Sequence, residues 1–225
     1  MRSNAEFRQV IGVLLTMAPY RPLCEETIAE LAGVKLNLVK KWVDDLSSLL
    51  YRDEKASRVI RVWHLSVLDF FVSRDCPRDY QISLKDASVQ LGIACLKAMV
   101  DQLHFNICKL EDSRLTNADI MDLPSRIKEN ISDALQYSSL YWSNHICFAP
   151  DNGDCHVWRS LEEFFEGTLP LFWIEVLSIM GMVPIGAPSL RSLISWVEVS
   201  TVPVFRWFAL LIDPMLLLGY QIKPC

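Results

Sequence analysis

Hydrophobic residues recur at helical spacing near the N-terminus and predict three successive helices. The first covers residues 4–17 and ends before two prolines. The second covers 25–31, with acidic residues in its first turn, where the helix dipole favours them, and Gly33 as its stop. The third covers 37–50, and its apolar face is broad enough to pack on the other two.

A strand and a further helix follow these three helices. A polar turn is predicted over 52–57, and alternating side chains predict a strand over 59–63. The pattern then becomes helical up to Ser73, with His64 at the junction. Three helices, a tight turn containing glycine and a strand are typical of a winged-helix unit, which we place at 1–75.

The rest of the chain predicts a helical arm over 82–199. Amphipathic helices are expected over 86–108, 124–142, 158–165, 171–180 and 190–199. A loop rich in turn residues over 149–154 divides them. The predicted fold class is therefore mainly α: a winged-helix unit with a short β-wing, followed by an array of amphipathic helices that is solenoid-like without a strict repeat.

Residues 200–225 form an apolar tail whose structure the pattern does not determine. Arg206 and Asp213 lie inside it, Pro203 and Pro214 interrupt it, and no uncharged run reaches the length of a membrane span. We expect the tail to pack against the arm or to be an unnatural ending. A membrane-associated adaptor that uses this tail remains an alternative.

The composition indicates whether the chain folds and in which compartment. The chain has 225 residues, of which 51% are hydrophobic and 22% charged, so it is expected to fold around a core. Seven irregularly spaced cysteines, mostly in apolar runs, predict reduced thiols and a cytoplasmic protein. The N-terminus has no apolar signal segment.

A winged helix raises the alternative of a DNA-binding protein, which the charges disfavour. The net charge is -5, and positions 21–61 hold eight basic and seven acidic residues. The third helix places Asp44 and Asp45 beside Lys40 and Lys41, and these carboxylates would repel a phosphate backbone. We therefore expect no nucleic-acid partner.

The segments PLCEETIAELAGV, VKKWVDDLSSLLY and RVWHLSVLDFF resemble the winged-helix region of fungal NACHT-type STAND NTPases. These are NLR-like proteins related to vegetative-incompatibility proteins and often carry WD repeats. In that family a motif close to H-x-S-F-x-D-F-L closes the winged helix. The matching positions here are His64, Ser66, Val67, Asp69, Phe70 and Phe71, with Val67 for the usual Phe and Phe71 for the usual Leu.

The resemblance continues through most of the helical arm and implies a role for one residue. The family's winged-helix histidine contacts the phosphates of bound nucleotide, a role that would fall on His64 if an NTPase domain is present. This chain has no G-x-x-x-x-G-K-[ST] motif, and none of its eight glycines precedes a lysine. We therefore expect no catalysis and no cofactor in this chain. The local alternative is that His64 only hydrogen-bonds across the strand-to-helix turn.

Other candidate chemistry is weaker. His145, Cys147, Cys155 and His156 could be drawn as zinc ligands, but the paired C-x-x-C spacing is missing, so no metal is predicted. We expect a buried Cys147 thiol beside two solvated histidines. Neighbouring acidic residues at 162, 163 and 166 are expected on the solvated face of a helix.

The sequence thus predicts a non-catalytic regulatory and interaction fragment, or a truncated relative, of an NLR-like STAND protein. It would relay or restrain a nucleotide-dependent switch. Its expected partners are proteins, among them an NTPase domain in cis or in trans. Ser66 and Asp69 near His64 superficially resemble a catalytic triad, but capping and turn bonding are the expected roles at a helix start.

Overall fold

The computed structural model describes residues 2–55, 57–64, 66–112, 114–148 and 155–199, and the predictions for 149–154 and 200–225 lie outside them. The described chain is mainly helical with one two-stranded sheet, which confirms the predicted fold class. The helices are α1 (Arg2–Met17), α2 (Glu25–Ala32), α3 (Leu36–Asp45), α4 (Ser66–Val72), α5 (Leu84–Gln102), α6 (Leu123–Asn130), α7 (Asp133–Ile146), α8 (Cys155–Phe165), α9 (Leu169–Ile179) and α10 (Val183–Val199). The strands are β1 (Leu50–Asp53) and β2 (Val59–Val62), and a short 3-10 helix covers Asn117–Asp119.

The first three helices pack against one another around buried side chains of α1. Phe7 is buried, and its ring lies 4.9 Å from the ring of Trp42 in α3 and 5.9 Å from that of Phe71 in α4. Helix α2 ends at Gly33, whose φ of 65° is the left-handed conformation that glycine adopts without strain. The three predicted N-terminal helices are therefore present.

Strands β1 and β2 form an antiparallel hairpin in which Leu50 pairs with Val62 and Asp53 with Val59. The prediction that the third helix runs to residue 50 was wrong. The polar turn predicted over 52–57 is present but begins only after Asp53, where β1 ends. Helix α3 ends at Asp45, and a turn then delivers Leu50 into the sheet. Leu50 is buried in the hairpin. A single buried apolar residue matches the apolar face of a helix and the inner face of a strand equally well, which explains the error.

Helices α7, α8, α9 and α10 share a core rich in aromatic residues. The ring of the fully buried Trp142 lies 5.8 Å from Trp173 and 5.5 Å from Phe164. The indole N–H of Trp173 donates to the carbonyl of Ser139 at 2.9 Å. These four helices of the arm are thus packed around one shared hydrophobic core.

The predicted helices over 158–165 and 171–180 are present with bounds shifted by three residues or fewer, whereas the other three predicted helices of the arm differ more. The single helix expected over 124–142 is two helices, because Ile131 adopts an extended conformation and Ser132 then caps α7 by accepting a hydrogen bond from the Leu135 N–H. Helix α5 ends at Gln102 and not at 108, and α10 begins at Val183, earlier than predicted, with Pro188 inside it.

The chain divides into two compact units, with the division along the sequence between Ala94 and Cys95 in α5. The first contains α1 to α4, the hairpin and the first half of α5; the second contains the remaining helices. The sequence prediction had placed the boundary between residues 75 and 82. Among the described helices, none is long and apolar enough to cross a membrane.

Candidate functional site

The best candidate site is the junction between β2 and α4, where His64 lies. Its Nδ1 atom accepts a hydrogen bond from the backbone N–H of Ser66 at 3.1 Å, and the Ser66 hydroxyl lies 2.7 Å from the same nitrogen. The first N–H groups of a helix have no partner within the helix, so this bond works as a cap. His64 therefore does bond across the strand-to-helix turn.

The same bond determines which ring nitrogen of His64 is available to a ligand. A nitrogen that accepts a hydrogen bond carries no proton, so the neutral ring bears its hydrogen on Nε2. His64 is exposed, and no described residue bonds to its Nε2. The junction therefore presents one fixed N–H donor to solvent.

The aromatic side chains around His64 divide into an outer and an inner set. Trp63 is 63% exposed with its ring 4.3 Å from Tyr51, and Phe70 is 46% exposed. Phe71, in contrast, is buried against Phe7. Of the two phenylalanines in the motif-like segment, Phe71 anchors α4 in the core and Phe70 leaves a partly apolar surface on α4.

Ser66 and Asp69 do not form a catalytic triad with His64. A triad needs a carboxylate on the imidazole nitrogen that does not face the serine. Asp69 is exposed in the first turn of α4, and among the described residues it makes no hydrogen bond to His64. Its position instead places a negative charge at the positive end of a helix dipole.

The hairpin that leads to His64 is held by an ion-pair cluster that sequence reasoning missed. Arg52 in β1 donates through Nε to Glu25 at 2.9 Å, and its Nη2 lies 2.7 Å from Asp44 in α3. Glu25 is buried, although it lies in the first turn of α2. The backbone N–H of Ile60 also donates to Leu23 at 2.8 Å. The hairpin is thus fixed on α2 and α3.

The zinc-like grouping has a different structure from the one expected. His145 is fully buried, and its Nε2 lies 2.9 Å from the hydroxyl oxygen of Tyr137, so the prediction of two solvated histidines was wrong for His145. Burial lowers the pKa of His145 to about 4 and raises the pKa of the half-buried Cys147 to about 11. His156 and Cys155 are exposed. Among the described residues, no three His, Cys, Asp or Glu side chains converge as metal ligands.

The remaining candidates have ordinary positions. Glu162, Glu163 and Glu166 are exposed, as predicted. The six described cysteines are free thiols; Cys76, Cys95 and Cys108 are buried, whereas Cys155 is exposed. Burial raises the pKa of Cys95 to about 12, which makes this thiol inert at neutral pH.

Comparison of the chain with profiles of protein families, with curated proteins and with solved structures found no match.

Proposed function

We propose that this chain is the winged-helix and helical-arm part of an NLR-like STAND protein, in which it relays or restrains a nucleotide-dependent switch. The order of elements supports the proposal: three packed helices, a two-stranded hairpin, a short helix and then amphipathic helices. The motif-like segment from His64 to Phe71 occupies the end of the hairpin and the start of α4. It would act as a regulatory module and not as a catalyst.

The observation that carries the proposal is the exposed Nε2–H of His64. An imidazole N–H can donate a hydrogen bond to a phosphate oxygen, and this bond is stronger when the ring is held in one orientation. The bond from the Ser66 N–H to Nδ1 supplies that orientation, and the Arg52 cluster fixes the hairpin that carries the residue. His64 would therefore contact nucleotide phosphate from an NTPase domain.

That NTPase domain would be the main partner, in cis or in trans. This chain lacks a phosphate-binding loop, so the backbone N–H groups that cradle phosphates would come from the partner. We place the chain in the cytoplasm, a compartment with which the free thiols of the six described cysteines are consistent.

Helix α3 argues against the DNA-binding alternative. Its solvent-exposed side chains include Lys40 and Lys41 together with Asp44 and Asp45. Asp44 also pairs with Arg52 in the hairpin, which leaves that arginine engaged within the protein. An interface that follows a phosphate backbone needs an excess of free basic side chains.

Two experiments test the proposal. The first is sequencing of the full transcript, in which a reading frame containing G-x-x-x-x-G-K-[ST] is expected upstream of this segment or in a partner gene. The second is thermal unfolding of the purified chain with and without Mg²⁺ and ADP. We expect no shift, because a ligand stabilises a protein only through a site in the native state. Stabilisation of the isolated chain by ADP would contradict this division of roles.

A further inference from the structure

The segment between α5 and α6, residues 103–122, is a long connection, and hydrogen bonds hold the backbone of its described residues, 103–112 and 114–122, at several points. Asn106, with φ of 52°, closes its first turn: its Oδ1 accepts from the Leu110 N–H at 2.6 Å, and its Nδ2 donates to the Leu110 carbonyl at 3.0 Å. Arg126 of α6 donates to the Lys109 carbonyl at 2.7 Å. Long connections held in this way usually serve binding.

Two hydrogen bonds attach the segment to one side of α9. The backbone N–H of Asn106 donates to Glu175 at 3.3 Å, and the side-chain amide of Asn117 donates to the Ser178 carbonyl at 2.6 Å. Glu175 and Ser178 are three residues apart and share a helix face, and Leu171 lies one turn before Glu175 on that face. Met182 follows the end of α9, after the turn at Gly181. The segment therefore runs along α9.

Large apolar side chains project from this surface into solvent. Phe105 is 76% exposed, Leu115 51%, Met121 97%, Leu171 52% and Met182 42%. We call these five residues the loop face. They are half of the ten exposed large hydrophobic residues in the described part of the chain. In contrast, Ile107 and Cys108 of the same segment are buried. Exposed apolar clusters of this kind are typical of protein interaction sites.

The charge around the loop face is negative. Residues 95–199 contain fourteen acidic and seven basic residues, and residues 103–126 contain four acidic and three basic ones. Asp112 and Asp122 form ion pairs with Arg114 and Arg126, each at 2.8 Å, so the negative charge open to a partner lies on Glu111, Asp119 and the nearby Glu175. Hydrogen bonds from Arg114, Thr116 and Arg126 lower the pKa values of Asp112, Asp119 and Asp122, respectively. These carboxylates are therefore ionised at neutral pH, and an anionic membrane would be repelled.

We infer that the loop face is a docking site for a basic amphipathic helix of a partner protein. The apolar side of such a helix would cover Phe105, Leu171 and their neighbours, and its lysines and arginines would meet the acidic segment. Helix-on-surface recognition of this type uses apolar anchors at helical spacing, and the charges around them select the partner. This docking site is independent of the His64 junction.

The test uses the full chain and two labelled probe peptides in a fluorescence anisotropy titration. One peptide is an amphipathic helix of leucine and lysine about 14 residues long, or roughly four turns. The other has glutamate in place of every lysine. We expect the lysine peptide to bind at least ~10-fold more tightly, with an affinity that falls as salt is added. Equal binding of both peptides, or no binding of the lysine peptide, would overturn the inference.

Variants locate the binding site. Met121→Ser and Leu171→Ser should each lower the affinity for the lysine peptide by roughly 5-fold or more, as expected for side chains that anchor a partner. Leu84→Ser, which removes a side chain that is 44% exposed and outside the loop face, is the matched control. Binding that survives both loop-face variants overturns the inference. Two further results would overturn it. If the chain forms a dimer that Met121→Ser abolishes, the loop face serves a second copy. If the chain binds neutral phosphatidylcholine vesicles and Met121→Ser abolishes that binding, the loop face serves a lipid surface.

Discussion

The backbone N–H of Ser66 donates to Nδ1 of His64 across 3.1 Å, and this bond ties the end of the β-hairpin to the first turn of α4. Side chains that accept from the first N–H groups of a helix stabilise it by about 1 kcal/mol. We predict that His64→Ala lowers the free energy of unfolding of the chain by about 0.5–1 kcal/mol. His64→Asp and His64→Asn keep an acceptor and should remain near the wild-type value in urea titrations.

The Arg52 cluster should contribute more to stability than other ion pairs of the hairpin. Arg52→Met leaves the buried Glu25 carboxylate without its partner, and breaking a buried pair in this way costs about 3 kcal/mol. Urea unfolding should show that loss. The matched control is Arg58→Met, because Arg58 and Glu54 form an exposed pair in the same hairpin and its loss should stay within about 0.5 kcal/mol. Similar losses in the two variants would contradict the role given to Arg52.

Arg126 should control the order of the segment that carries the loop face. Arg126→Ala removes the donor to the Lys109 carbonyl and the bond to Asp122. Amide hydrogen exchange within residues 103–122 should become faster, while α7 and α9 keep their protection, since their core does not involve this side chain. Lys128→Ala, an exposed residue of the same helix, is the control and should leave exchange unchanged. Faster exchange throughout α7 and α9 would mean that Arg126 supports the arm as a whole.

His145 predicts a pH dependence of stability. Its pKa is about 4 in the folded chain and about 6.5 when unfolded, so between these values the unfolded state binds the proton more strongly. The free energy of unfolding therefore has its full value above pH ~6.5 and falls as the pH decreases towards ~4. Between pH 7 and pH 5 this loss amounts to about 2 kcal/mol.

The variant His145→Gln isolates this contribution, because an amide can still bond to Tyr137 but does not titrate in this range. Urea unfolding at pH 7 and pH 5 should show a smaller difference for the variant than for the wild type. An equal difference in both proteins would show that other groups cause the acid sensitivity.

The sequence predicted the fold where one periodic pattern had one structural meaning. Gly33 marked the end of α2, and the alternation at 59–62 marked β2, because these signals are local. Leu50 was ambiguous: its side chain suits the apolar face of a helix, and only its pairing with Val62 decides that it lies in a strand. The break at Ile131 was also hidden, since the apolar spacing continues through it and Ser132 acts as a cap only because the backbone turns there.

The candidate site was predictable in its position and not in its supporting contacts. His64 was identified by its place in a motif-like segment, and that segment does lie at the strand-to-helix junction. Glu25 and Arg52 are 27 positions apart, and no local pattern indicates that they meet. His145 was expected in solvent because polar residues usually lie outside, but its bond to Tyr137 satisfies it within the core.

The most direct measurement of the central claim is the rate of ADP release from the protein or complex that joins this chain to a phosphate-binding NTPase domain. His64→Asp keeps the cap on α4 but places a carboxylate where phosphate would bind, whereas His64→Asn keeps the cap and an N–H donor. We predict at least ~10-fold faster release for His64→Asp, equivalent to about 1.4 kcal/mol, and no more than ~3-fold for His64→Asn. Release from His64→Asp at the wild-type rate would show that His64 only caps α4 and would contradict the switch function.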